Sequence, residues 1–446
     1  MAKNLPVPFK RQKVRVFHSN QMYICAKFRF KQKIKERFLI LAWGLYDLAN
    51  QFFALNVVSL YFVRWITIEK QTPEIFYSIS FGFSMFLVAC LAPFLGTISD
   101  LTRRHRLFLV SFTLLSILFT VCLGLTESVM WGLVFFAIAN FGCQGAIIFY
   151  NALLINIAPA DKIGLVSGIG KMLGYCGAVL GLYIIRPLVL ESGYRAAFVP
   201  SGLLFLIFAL PCMLFVKDRK PSSNLNLSSL KRDSLLTSFR QFLKENFYLI
   251  SSSEMSNFLK AIFFCLSVVN IIILFMSVYA TKVFGLSETQ IINLILFSTI
   301  FAIFGSLLSG FISDKVGYKR SLVAVLLLWA ICLLFGSLAR NMVFYWIIGP
   351  LVGIAFGATW VVSRALAIRI VPAQNIGQAF GLFSFVGYFS AIIGALFWGG
   401  LLWFLSPLGT LGYRIALLCL FFLLLPGLFY LHRIKLDSIP INKIAK

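Results

Sequence analysis

The chain has 446 residues, of which 60% are hydrophobic and only 12% charged. So little charge cannot cover the surface of a water-soluble protein this size, which excludes a soluble enzyme and a disordered or fibrous chain. Lysine and arginine number 40 against 15 acidic residues, a net +25. The basic residues sit in short clusters between long apolar runs, as in the loops of a membrane protein rather than on a nucleic-acid surface.

In chain order, a basic segment comes first, residues 1–37. No separate short apolar stretch precedes the first long apolar run, so a secretory signal is not expected. Basic and aromatic residues alternate over 28–35, a pattern suited either to an anionic lipid surface or to a plain cytoplasmic tail. Twelve apolar segments follow: 38–63, 76–98, 107–125, 129–157, 163–190, 196–216, 259–282, 289–312, 321–338, 342–370, 376–404 and 411–431. Each approaches the ~20 residues a spanning helix needs. The strands of a membrane β-barrel would be about ten residues long and alternating. The expected fold class is therefore an all-α polytopic membrane protein of twelve transmembrane helices.

One polar break, 217–258, contains Pro221-Ser222-Ser223-Asn224 and separates an N-terminal six-helix bundle, 38–216, from a C-terminal one, 259–431, with a tail at 432–446. The basic clusters lie before helix 1, between helices 2 and 3, in the 217–258 linker, between helices 8 and 9, and after helix 12. Both termini and the linker are therefore expected to be cytoplasmic.

The halves repeat one another. Gly96-Thr97-Ile98-Ser99-Asp100 returns as Gly310-Phe311-Ile312-Ser313-Asp314, Asn56 as Asn270, and Pro159-Ala160 as Pro372-Ala373. Gly164, Gly168, Gly174-Tyr175 and Gly181 return as Gly377, Gly381, Gly387-Tyr388 and Gly394. Matches in the same order at a nearly constant offset imply duplication. Parallel six-helix repeats are a transporter architecture, with the solute site between the halves near mid-membrane.

The sharpest local motif is Gly96-x-x-x-Asp100-x-x-Arg103-Arg104-x-Arg106, with a second copy at Gly310-x-x-x-Asp314-x-x-Gly317-x-Lys319-Arg320. It resembles the repeated loop signature of the Major Facilitator Superfamily. Glycine permits close helix approach, and the aspartate can pair with basic residues or with a neighbouring helix end. Gly96, Asp100, Arg103, Arg104, Gly310, Asp314 and Arg320 are thus candidates for a conformational latch, the alternative being loop charge that only sets topology.

Polar residues inside spans are costly; a mid-span charge costs roughly 2.5–3.5 kcal/mol on insertion scales. Asp47, Asn50 and Gln51 share a face of helix 1, Asn140, Gln144 and Asn151 a face of helix 4, and Gly353, Gly357, Trp360 and Arg364 a face of helix 10. Asp47, Asn151 and Arg364 then lie roughly 10–15 Å from the cytoplasmic edge, in one layer. That layer can bind solute or carry a proton, or it can be static hydrogen-bonded glue between helices. Lys171 in helix 5 either lines the same cavity or snorkels to the cytoplasmic edge. Gly170-x-x-x-Gly174, Gly177-x-x-x-Gly181 and Gly377-x-x-x-Gly381 read as packing seams of helices 5 and 11.

No cofactor is expected. The nine cysteines form no C-x-x-C and read as reduced core residues, and His18, His105 and His432 all lie outside the spans. Gly170-Lys171 lacks the rest of a P-loop, so ATP is not expected to drive transport. No Ser/His, metal or paired-carboxylate constellation suggests an enzyme.

A finer resemblance rests on Trp43-Gly44-Leu45-Tyr46-Asp47-Leu48-Ala49-Asn50, on Phe149-Tyr150-Asn151-Ala152-Leu153-Leu154 and on Ser167-Gly168-x-Gly170-x-x-x-Gly174-Tyr175. Ser363-Arg364-x-Leu366-x-x-Arg369-x-x-Pro372 and Phe380-Gly381-Leu382-Phe383-Ser384 extend it. In this order they resemble the autophagy-related vacuolar amino-acid effluxer family and its bacterial relatives, over roughly residues 38–431. The chain departs from that pattern at Lys171 and at Leu266-Ser267-Val268-Val269-Asn270 in helix 7. The resemblance implies amino-acid export, on one branch from a degradative vacuole, and leaves the substrate of the bacterial branch open; the expected location is a cell inner membrane, or a vacuolar membrane in a eukaryote. The reading is a monomeric secondary transporter working by alternating access, with protons as a candidate coupling ion and Asp47 either proton carrier or substrate ligand. The alternatives are a non-transporting receptor or scaffold, and a carrier of another small metabolite or drug.

Overall fold

The computed structural model describes residues 34–72, 74–218 and 253–435. Most of the basic N-terminal segment, the linker and the tail lies outside these described residues. Among them, twelve helices are long and apolar enough to cross a membrane. They are α1 Ile34–Arg64, α2 Glu74–Thr102, α3 His105–Leu125, α4 Val129–Ile157, α5 Ile163–Ser192 and α6 Tyr194–Phe215. The series continues with α7 Ser253–Phe284, α8 Glu288–Val316, α9 Tyr318–Leu338, α10 Met342–Ile370, α11 Ile376–Phe404 and α12 Thr410–Arg433. An even number of crossings returns the chain to the side it started from. That side, where residues 34 and 435 lie, is here the terminal side, and the opposite one the far side.

The same residues that make the spans apolar all round decide where each helix goes. Leu118, Ile207, Phe304 and Leu396 are exposed, as side chains facing lipid tails must be. Trp131 at the start of α4 and Trp403 at the end of α11 are exposed near the far-side ends, where amphipathic rings suit the headgroup level. A capping box opens α8: the Gln290 N–H donates to Ser287 Oγ at 3.3 Å, and the Ser287 N–H donates to Gln290 Oε1 at 2.9 Å.

Packing follows the duplication. Helix α3 pairs with α4 and α6, α2 with α4, and α1 with α5 and α6. Six positions later in the series, α9 pairs with α10 and α12, α8 with α10, and α7 with α11 and α12. Four seams join the two sets, again as matched pairs: α2 on α11 with α5 on α8, and α4 on α11 with α5 on α10.

Helix α1 is irregular. Over Phe52–Tyr61 its backbone is in π register, and the Ser59 hydroxyl donates to Ala54 O five residues back, at 3.0 Å. Such widened turns are rare and recur at functional sites. This one begins directly after Asn50 and Gln51.

The small-residue seams do not lay α5 against α11. Helix α5 turns Gly177 and Gly181 toward α1, and Gly164 and Gly168 toward α8. A β-carbon at Gly177 would lie 2.5 Å from Leu48 O, whereas one at Gly399 would meet nothing within 4 Å. Alanine is the better helix former by about 1 kcal/mol at both sites, so the contact decides the sign. Gly177→Ala should lower the apparent melting temperature in detergent by several degrees, in line with overpacking of ~1–3 kcal/mol. Gly399→Ala should leave it unchanged or higher; equal shifts for the two would remove the packing argument.

Candidate functional site

A cavity of about 620 Å³ lies between the two sets of helices. Its lining runs from Tyr46, Tyr150 and Arg364 at one end to Ser59, Phe81 and Ala395 at the other. The second group lies near the far-side ends of α1, α2 and α11, so the cavity opens toward the far side and is closed toward the terminal side.

The floor is built from aromatic and charged side chains. Trp43 stacks on Tyr150 with ring centres 4.5 Å apart, and its indole N–H donates to Tyr150 O at 3.1 Å. Tyr46 shares a 2.6 Å hydrogen bond with Thr113. Above them Asp47, 3% exposed, presents its two oxygens to two cations. Oδ1 accepts from Lys171 Nζ at 3.3 Å, and Oδ2 from Arg364 Nη1 at 3.5 Å. Arg364 also donates from Nη1 to Asn151 Oδ1 at 3.4 Å, from Nη2 to Ser167 O at 3.1 Å, and from Nε to Trp360 O at 3.3 Å. Its guanidinium lies 5.6 Å from the Trp43 ring centre, and Lys171 Nζ 5.8 Å from that of Trp360. A β-carbon at Gly174 would stand 3.2 Å from Asp47 Oδ1, so that glycine leaves the carboxylate its room.

The structure thus gathers Asp47, Asn151, Lys171 and Arg364, from α1, α4, α5 and α10, into one cluster. Asn50, Gln51, Gln144 and Trp360 line the same cavity. Asn50 Oδ1 accepts from the Cys143 thiol at 2.7 Å. Asn140 is the exception. It is fully buried and donates to Ser84 Oγ of α2 at 2.8 Å, because α2 covers α4 at that depth. Its place is in a helix–helix contact, not in the cavity. The sequence reading passed over Tyr388, whose hydroxyl donates to Gln144 Oε1 at 3.0 Å across the α4–α11 seam, and Asn270, which lines the cavity from α7. In the sequence Tyr388 stands out only as the repeat partner of Tyr175, and Asn270 as that of Asn56 and as the end of the stretch that departs from the family pattern.

The terminal side is shut by two matching contacts. Asp100, at the end of α2, accepts the backbone N–H groups of Gly377 and Gln378 at 2.8 and 2.7 Å. Asp314, at the end of α8, accepts those of Gly164 and Leu165 at 2.8 and 2.7 Å. Each carboxylate therefore caps the first turn of a helix in the other set, where N–H groups lack intrahelical partners and the helix dipole favours a negative charge. Glycine is required beside both. A side chain at Gly96 would collide with the carbonyl oxygen of Gly377, and one at Gly310 with that of Gly164. Of the two kinds of partner open to the aspartates from sequence, both carboxylates engage the helix end, and Asp100 takes a basic neighbour as well. Among the described residues the ion-pair partner of Asp100 is His105, with Nε2 to Oδ1 at 2.9 Å, and not Arg103 or Arg104. Asp314 accepts from the Tyr318 hydroxyl at 2.8 Å, with no ion pair to Arg320.

The sequence matches the family model of the Major Facilitator Superfamily over residues 48–395, and again over 258–443. The chain belongs to the Major Facilitator Superfamily. It is a multi-pass membrane protein of a family that performs secondary transport of small solutes. Among similar sequences, an uncharacterized protein of Aquifex aeolicus (strain VF5) is 27% identical over 404 residues, which cover 89% of this chain and 97% of that one. An uncharacterized MFS-type transporter of Bacillus subtilis (strain 168), YxiO, is 24% identical over 381 residues, covering 80% and 86%. Among solved structures, a bacterial homologue of the iron transporter ferroportin in an outward-facing state superposes with a TM-score of 0.68 at 14% identity, covering 91% of this chain and 99% of that one.

Proposed function

We propose that this superfamily member exports an amino acid by alternating access, with the terminal side cytoplasmic and the far side outside the cell. The carrying observation is the Asp47–Lys171–Arg364 cluster: charges of both signs meet on the floor of a closed-ended cavity between the halves. An amino acid carries the complementary pair, a carboxylate for the fork of Arg364 and an ammonium for Asp47. The order of motifs shared with the vacuolar amino-acid effluxers supports the same solute class. The basic loops support the orientation, in a cell inner membrane, with the six-helix units 38–216 and 259–431 as the moving halves.

In this reading Asp100 and Asp314 hold the cytoplasmic side shut while the cavity faces out, and release it when the halves rock. Asp47, Asn50, Gln51, Gln144, Asn151, Lys171, Trp360 and Arg364 form the solute site, and the transporter works as a monomer. Counterflow decides the matter. Liposomes holding the purified protein and one unlabelled amino acid at high concentration are given a trace of the same amino acid labelled. Accumulation for at least one member of a twenty-amino-acid panel is expected. No accumulation for any of them, with folded protein in the vesicles, would favour a different solute or a receptor on the same fold.

A further inference from the structure

Among the described residues lining the cavity, the charged ones are Asp47, Lys171 and Arg364. Two cations face one carboxylate, and each takes one of its oxygens. One carboxylate offsets one cation, so with both basic groups protonated the floor carries a formal charge of +1. A surplus charge out of bulk water is expensive to hold without a counter-charge. Among the described residues no second carboxylate lines the cavity to supply it.

The donors left over point the same way. Lys171 carries three N–H donors, and its hydrogen bond among the described residues is the single one to Asp47. Arg364 has five, of which four have the partners given above. Both contacts to Asp47, at 3.3 and 3.5 Å, are longer than the roughly 2.7–2.9 Å of a tight charge-assisted bond. They can be exchanged for a better acceptor.

We infer that the solute is an acidic amino acid, bearing two carboxylates and one ammonium. This rests on the amino-acid reading above and narrows it. One carboxylate takes the Arg364 guanidinium, the other takes Lys171, and the ammonium takes Asp47 as both cations turn to the solute. Three charges on the protein meet three of opposite sign on the ligand, and the occupied site is neutral. A neutral amino acid leaves Lys171 on Asp47, in competition with its own ammonium.

The test is competition in the counterflow assay. With labelled L-glutamate or L-aspartate as tracer, unlabelled acidic amino acids should compete at least tenfold better than glutamine or leucine. Succinate, which has both carboxylates and no ammonium, should compete at least tenfold less well than L-aspartate. Lys171→Met should reverse the preference toward neutral amino acids, and Lys171→Arg should keep the acidic one. Equal or better exchange of neutral amino acids by the natural protein overturns the inference while leaving amino-acid transport standing. Exchange of no amino acid at all removes the reading beneath it. Succinate matching aspartate, or an unchanged preference in Lys171→Met, also overturns it. If Lys171→Met does not fold, the comparison of natural substrates and the Lys171→Arg variant decide.

Discussion

Asp47→Asn should reduce solute exchange at least a hundredfold in matched proteoliposomes. The substitution leaves Lys171 and Arg364, now held 3.3 and 3.5 Å from a neutral amide, without their shared counter-charge. Breaking a buried pair from one side costs ~3–5 kcal/mol, because the remaining charge is stranded. Loss of the proposed carboxylate–ammonium contact to the solute on the same scale, at about 1.4 kcal/mol per factor of ten, is more than a hundredfold in exchange. Two roles for the carboxylate lead to different residual behaviour. As a ligand for the solute ammonium, Asp47 is needed for binding, so counterflow and gradient-driven accumulation should fall together. As a proton carrier it is needed only for coupling, so accumulation should vanish while counterflow persists. The first pattern is expected from the contacts seen. Unimpaired accumulation and counterflow in Asp47→Asn would reduce Asp47 to a structural partner within the bundle.

The latch gives the second large effect. Asp100→Asn replaces an acceptor of two backbone N–H groups, at 2.8 and 2.7 Å, by an amide that presents an NH2 to one of them. Hydrogen bonds to a charged group contribute roughly 1.5–3 kcal/mol each, and in the proposed rocking this pair is released when the terminal side opens. Its loss should slow transport at least tenfold and leave the yield of folded protein within a factor of two. Asp314→Asn should act in the same direction, since its two bonds to Gly164 and Leu165 are matched in length. Initial transport rates at equal protein per lipid, with size-exclusion yield as the folding control, make the measurement. Natural rates in both variants would leave the two aspartates as topological charges only.

What the sequence made legible was whatever writes itself in residue type. Twelve apolar runs of spanning length are a strong signal, and the helices fall where those runs do. Helical period puts Asp47, Asn50 and Gln51 on one face, and in the structure that face lines the cavity. Asn140 shows the limit. Period places it in line with Asn151, but it does not say that α2 and Ser84 lie opposite at that depth. The latch partners show another. Asp100 is met by backbone N–H groups, which every residue but proline has, so only the glycine at 377 hinted at them. For Lys171, sequence depth left two directions for a long flexible stem, and the neighbouring carboxylate chose between them. The π register of α1 has no residue-type signature that separates it from an ordinary apolar helix.

Helix α5 joins two of these sites on one rigid rod. Gly164 and Leu165, which receive the Asp314 carboxylate, precede Lys171 by about two turns, a rise of roughly 10 Å. Whatever displaces the start of the helix therefore carries the ammonium with it. Thermodynamic reciprocity then ties gate to cargo: if the solute binds tenfold more tightly with the terminal side shut, its presence must favour the shut form tenfold, about 1.4 kcal/mol. Affinity and gating become two readings of a single coupling free energy. A substitution at Asp314, far from any solute, should then alter the apparent affinity measured at the far face.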